Sequence, residues 1–130
     1  MSRALLDTSV AIESLRNNLT ITTYLDTFED LCFTSIGLGE LYYGAYKSTQ
    51  RERHLAECSM VEATLTIYDI DHEVSKLFGQ VKYDLRRTGK MIPENDIWIA
   101  AVALRYRITL ITLDTHFERV EGLEVVLLRK

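Results

Sequence analysis

Five short apolar runs alternate with stretches of helical periodicity from one end of the chain to the other: Ala4-Leu5-Leu6, Leu31-Cys32-Phe33, Leu65-Thr66-Ile67-Tyr68, Ile108 to Leu113 and Leu123 to Leu128. No other feature constrains the fold as strongly. Strands separated by helices need crossover connections, so the pattern predicts a three-layer α/β/α protein with a mostly parallel central sheet of about five strands. No linker, internal repeat or low-complexity tract interrupts it, and residues 1–130 read as a single domain.

The intervening segments carry helix signals. Thr8 or Ser9 can cap a helix over Val10 to Arg16, and Thr20 a second one with Ile21, Tyr24, Leu25 and Phe28 on one face. Thr34 or Ser35 can start a helix reaching about Ser48, and a further helix from about Gln50 to Ala63 folds back on it as a hairpin. Asp71 caps an amphipathic helix bearing Val74, Leu77, Phe78, Val81 and Leu85, which Gly89 ends. Pro93 introduces Glu94-Asn95-Asp96, suited to a first helical turn. Ile97 to Leu104 then runs apolar almost all round, as expected for a helix in the middle of the protein with Trp98 as a core residue.

Four acidic residues punctuate this pattern. Asp7 follows the first strand, Asp114 the strand before last, Glu40 lies in the second turn of the helix after strand two, and Asp96 in the first turn of the apolar helix. Strand ends and the helix starts that follow them share the carboxyl edge of a parallel sheet, so all four can face one crevice. Carboxylates gathered there repel one another and raise one another's pKa unless a cation joins them. Hard oxygen donors suit Mg²⁺ or Mn²⁺. Taken singly, each acid can be a cap, a turn residue or a solvated helix side chain; position, among 19 acidic residues in all, carries the inference.

Composition narrows the function classes. A formal charge of −4 argues against binding nucleic acid with the whole surface, though Lys82, Arg86, Arg87 and Lys90 form a local basic strip. Cys32 and Cys58 have no spacing that implies a disulfide and read as small buried hydrophobes. No run approaches the ~18 apolar residues of a membrane span, and the start of the chain meets Asp7 too soon for a targeting segment, which leaves the cytoplasm as the expected location.

With these positions in hand, the chain resembles the PIN-domain nucleases, specifically the small VapC-type toxins of toxin–antitoxin modules. The segments that carry the resemblance are Leu5-Leu6-Asp7-Thr8-Ser9-Val10, Glu40-Leu41-Tyr42-Tyr43-Gly44-Ala45, Ile92 to Ala101 around Asp96, and Leu113-Asp114-Thr115-His116-Phe117, in the family's order. The resemblance implies a PIN-like fold and an acidic quartet of Asp7, Glu40, Asp96 and Asp114, with Asp7, Asp96 and Asp114 as metal ligands and Thr8, Ser9 and Thr112 in support. It further implies Mg²⁺- or Mn²⁺-dependent endoribonuclease activity on tRNA or rRNA, a growth-inhibiting role, a cognate antitoxin reaching the acidic pocket with an Arg or Lys, and a homodimer. Gly37 and Gly39 depart from the family's bulkier residues before Glu40 and bear on how the helix starts there.

Hydrolysis with water as nucleophile would leave 5′-phosphate and 3′-hydroxyl ends. The rival chemistry uses the RNA 2′-hydroxyl with paired histidines; of His54, His72 and His116, only His116 stands near an acid of the set. Arg86, Arg87 and Lys90, at the end of the long helix and in the loop toward Asp96, are candidate phosphate contacts, and equally a helix terminus that favours cations. Tyr42, Tyr43 and Tyr46 can stack on bases or pack against the hairpin, a second subunit or an antitoxin helix. Haloacid-dehalogenase-type phosphotransferases want an Asp where Ser9 stands, receiver domains want paired acids at the first strand, and flap endonucleases want insertions the chain has no room for. A non-catalytic PIN-like RNA- or protein-binding module is the remaining alternative.

Overall fold

The computed structural model describes residues 2–129. Five parallel strands, β1 (Arg3–Leu6), β2 (Asp30–Thr34), β3 (Thr66–Tyr68), β4 (Thr109–Thr112) and β5 (Val125–Leu127), lie in the order β3-β2-β1-β4-β5. The register sets Leu5 beside both Cys32 and Leu110, so β1 is hydrogen-bonded on each side. Both edge strands have only three residues, which limits the unpaired backbone offered to other chains.

Side chains alternate across the sheet. Leu5, Cys32 and Leu110 face one layer, where they meet α5 (His72–Arg87) and α6 (Glu94–Tyr106); Ala4, Leu6, Phe33 and Ile111 face the other, where α1 (Thr8–Leu15), α2 (Leu19–Leu25), α3 (Ser35–Tyr46) and α4 (Arg51–Thr64) pack. Among the helices α6 is the most enclosed. Ile97 and the run from Ile99 to Ala103 are buried, each fully buried Ile contributing roughly 1.5–3 kcal/mol. Trp98 is only half-buried and stacks on Phe78 of α5 at 3.7 Å between ring centres.

The layers, the α3–α4 hairpin and the α5 cap at Asp71 agree with the sequence pattern. Two caps differ from it. The side chain of Asp7, rather than Thr8 or Ser9, caps α1, and Asn18, rather than Thr20, caps α2 by accepting from the Ile21 N–H at 3.2 Å. In both cases an oxygen-bearing residue one or two positions earlier reaches the free N–H groups first. Between β4 and β5 the chain forms a short 3₁₀ helix, Thr115–Arg119, that the periodicity did not signal. Both cysteines are free and buried.

Candidate active site

The strand order places the topological switch between β1 and β4: from β1 the chain winds one way to β2 and β3, and then returns to the other side for β4 and β5. A crevice opens at the carboxyl ends of strands at such a point. Here it is a cleft of about 680 Å³ whose wall includes Asp7, Glu40, Asp96 and Asp114. Thr8 and Ser9 line it as well, together with Asn95 and His116.

Asp7 is the anchor. It is 2 % exposed, its Oδ1 accepts from the Thr8 N–H at 2.8 Å, and its Oδ2 accepts from the hydroxyls of Ser9 and Thr112, each at 2.8 Å. Those hydroxyls are themselves held by the chain that leaves β4, since the Leu113 N–H donates to Ser9 Oγ at 3.3 Å and the Asp114 N–H to Thr112 Oγ1 at 3.0 Å. The supporting hydroxyls thus tie the loop bearing Asp114 to the carboxylate of Asp7. Burial pushes the Asp7 carboxyl above its ordinary range, against the pull of these three bonds and with a small further push from Asp114.

The two helix-borne acids are each held by one partner. Thr8 Oγ1 donates to Glu40 Oε1 at 2.6 Å. That contact needs α3 close to α1, and Gly37 permits it: a Cβ there would stand 2.7 Å from Phe33 Cζ and 3.2 Å from Thr8 Oγ1. The same glycine donates its N–H to the capping Thr34 Oγ1 at 2.8 Å, so α3 starts regularly, while Gly39 has open space around it. Asp96 pairs with His116, whose Nε2 lies 2.6 Å from Oδ2; Asp114 Oδ2 is 3.9 Å from the same nitrogen. With Asp96 ionised, Nε2 must carry the proton. Burial and then the Asp7 charge push the Asp96 carboxyl up to about 6, with His116 pulling the other way.

Among the described residues no three Asp, Glu, His or Cys side chains draw close enough to chelate an ion unaided. Asp7, Glu40 and Asp96 are instead each turned toward donors of their own. This donor set still fits Mg²⁺ or Mn²⁺, which take one or two carboxylates and fill the remaining positions with water and phosphate oxygens. Among the described residues no soft ligand lines the cleft, and Asp7 and Asp96, both pushed up chiefly by burial, are carboxylates whose charged form a cation would favour.

The basic residues singled out from sequence lie elsewhere. Arg86, Arg87 and Lys90 are exposed around the end of α5, none lines the cleft, and Arg87 pairs with Asp84 at 3.7 Å. Lys82, one turn earlier, reaches Glu94 at the cleft rim at 3.2 Å. Asn95 and the His116–Asp96 contact were not legible beforehand; the spacing of His116 from Asp114 was the one available signal. Among the described residues no helix is long and apolar enough to cross a membrane.

A parallel sheet with acidic side chains gathered at its switch point defines the class, an α/β protein with an acidic cleft at the carboxyl edge of the sheet. The model of the PIN domain matches residues 4–123, and the chain belongs to the PIN-domain family. It is 35% identical to "Ribonuclease VapC2" of Haemophilus influenzae, with 95% of this chain and 96% of that protein covered. It is 31% identical to "tRNA(fMet)-specific endonuclease VapC" of Shigella flexneri over 95% of this chain and 96% of that one. The crystal structure of DNA-bound VapBC from Salmonella typhimurium superposes with a TM-score of 0.88 at 29% identity, covering 97% of this chain and 98% of that one.

Proposed function

We propose that this chain, as one nuclease domain over residues 1–130, is a Mg²⁺- or Mn²⁺-dependent endoribonuclease and the toxin of a type II toxin–antitoxin pair. The observation that carries the reading is the convergence of Asp7, Glu40, Asp96 and Asp114 on one cleft at the β1/β4 switch point. The names of the relatives support ribonuclease activity, with tRNA as the substrate class to try first. The VapBC neighbour supports a cognate antitoxin as partner. A homodimer and a cytoplasmic site of action accompany this reading.

Asp7 and Asp96 would carry most of the ion binding, with Asp114 and Glu40 completing the site. When bound, the divalent cation supplies an activated water and offsets charge on the phosphate oxygens. The chain's own residues do the positioning. Ser9 and Thr112 fix Oδ2 of Asp7 and the Thr8 N–H fixes Oδ1, the Thr8 hydroxyl holds Glu40 at the rim, and His116 orients Asp96. Such fixed donors around a ligating carboxylate are what hold a metal site in geometry.

The test is cleavage of purified tRNA with Mg²⁺ or Mn²⁺, in wild type and Asp7→Asn, with mapping of the new ends. Metal-dependent cuts bearing 5′-phosphates, lost in the variant, are the expected result. Full cleavage in excess EDTA would overturn the metal mechanism, and tight RNA or protein binding without any cleavage would favour the non-catalytic module.

A further inference from the structure

We propose that RNA approaches the acidic cleft as a single strand along the flank lined by Arg16, Tyr43 and Lys47, a binding subsite built from the end of α1 and the face of α3. The inference rests on the nuclease reading above and deepens it by assigning the path of the substrate.

A polyanion cannot reach a cleft lined by five carboxylates, Glu94 at the rim included, unless cations stand beside it. One neighbouring cleft, of about 800 Å³, meets that need and shares Thr8, Glu40 and Asn95 with the acidic one. The two are therefore continuous. Glu40 is the only carboxylate that lines this flank among the described residues, and it is already held by Thr8. Arg16 and Lys47 supply two positive charges.

These groups are available. The Arg16 side chain is 69% exposed and its ion pair to Glu13, at 3.2 Å, is of the surface kind that a phosphate can replace. Lys47 has no ion pair among the described residues, and its Nζ sits 5.0 Å from the centre of the Tyr43 ring. Tyr43 itself is 68% exposed, with the Lys47 ammonium over one face of its ring. An aromatic platform beside a basic groove is how proteins hold single strands without reading their sequence. The Arg86, Arg87 and Lys90 cluster, by contrast, lines neither cleft.

The experiment measures binding of a short fluorescein-labelled single-stranded RNA of mixed sequence by anisotropy, across a salt series, with the full chain in the Asp7→Asn background. Arg16→Ala and Lys47→Ala should each weaken binding and lower the salt slope by about one. Tyr43→Leu should weaken it about tenfold with the slope unchanged, and Tyr43→Phe should restore it. The double variant Arg86→Ala, Arg87→Ala should bind as the background does. Unchanged affinity in the Arg16, Tyr43 and Lys47 variants, or loss confined to the Arg86/Arg87 variant, overturns the proposal. So does retained RNA binding with loss of affinity for the cognate partner protein, which would give this flank to the partner. Failure of the nuclease reading is a separate outcome, a wild-type chain that cuts no RNA with either metal.

Discussion

The two ends of β1 carry similar residue types to opposite effect. At its amino end, Arg3 donates to the Tyr68 hydroxyl at 2.7 Å and to the Tyr106 carbonyl at 3.3 Å, Tyr68 and Tyr106 stack at 4.2 Å, and the Tyr106 hydroxyl donates to Asp71 at 3.1 Å. Arg105 completes the group 3.7 Å from Asp71. Charge there is matched, and the Asp71 carboxyl is held below its ordinary range, chiefly by the Val74 N–H it caps. At the carboxyl end Asp7, Glu40, Asp96 and Asp114, with Glu94 at the rim, share one cleft with a single imidazole, and Asp7 and Asp96 are pushed up. One end offsets its charges within the fold, and the other gathers carboxylates that the fold offsets less.

The largest effect that sharpens this contrast is expected from Asp7→Asn. Cleavage should fall on the order of a thousandfold while circular dichroism and thermal unfolding stay near wild type, because the amide keeps the cap on α1 and the hydroxyls can reorient. A variant that is active, or unfolded, breaks the division between a functional end and a structural one. The opposite end predicts the reverse result for Arg3→Ala, a loss of about 1.5–3 kcal/mol in urea unfolding with cleavage unchanged in conditions where the protein stays folded. Gly37→Ala belongs between the two: the new methyl must displace the Phe33 ring, at a cost of about 1–3 kcal/mol, and should also slow cleavage by moving α3 and Glu40 away from Thr8.

The pH dependence of stability in EDTA should have opposite signs at the two ends. Asp96, with its pKa raised to about 6, binds a proton more readily when folded, so its contribution to stability rises as pH falls from above 6 toward the unfolded value near 4. Asp96→Asn should therefore stabilise the metal-free protein at pH 8, on the order of 1–2 kcal/mol, with the gain gone near pH 4. Asp71, with a lowered pKa, stabilises at neutral pH and loses that contribution as pH falls through its folded value. Asp71→Asn should destabilise at pH 7 and converge with wild type in acid. The smallest effect is expected from Lys82→Ala, which removes a half-exposed ion pair to Glu94 and should change stability by less than about 1 kcal/mol.

Much of this was legible in the residues. The alternation of apolar runs with helical periods led to the α/β/α layers, and the stops at Asp7 and Asp114 led to the carboxyl edge. Local chemistry was less legible where two residues compete for one role. Asp7 is both cap and cleft residue, and a cap was one of its readings from sequence, but Thr8 and Ser9 offered the same role for α1 and nothing local chose among the three. The short 3₁₀ helix after Asp114 has too few residues to show a period, so the turn that brings His116 back onto Asp96 left no mark in the pattern.

By itself, the order of residues determined the layer architecture, the edge of the sheet where the acids gather and the hydroxyls that stand beside them, because strand and helix periods and strand ends are local properties. Only the tertiary structure decided which donor each acid takes, how closely α3 approaches α1 over Gly37, and which basic residues flank the cleft. Those contacts join positions as far apart as Asp7 and Thr112, or Thr8 and Glu40. Their geometry comes from packing across the sheet, where a shift of an ångström makes or breaks a hydrogen bond and no local pattern records it.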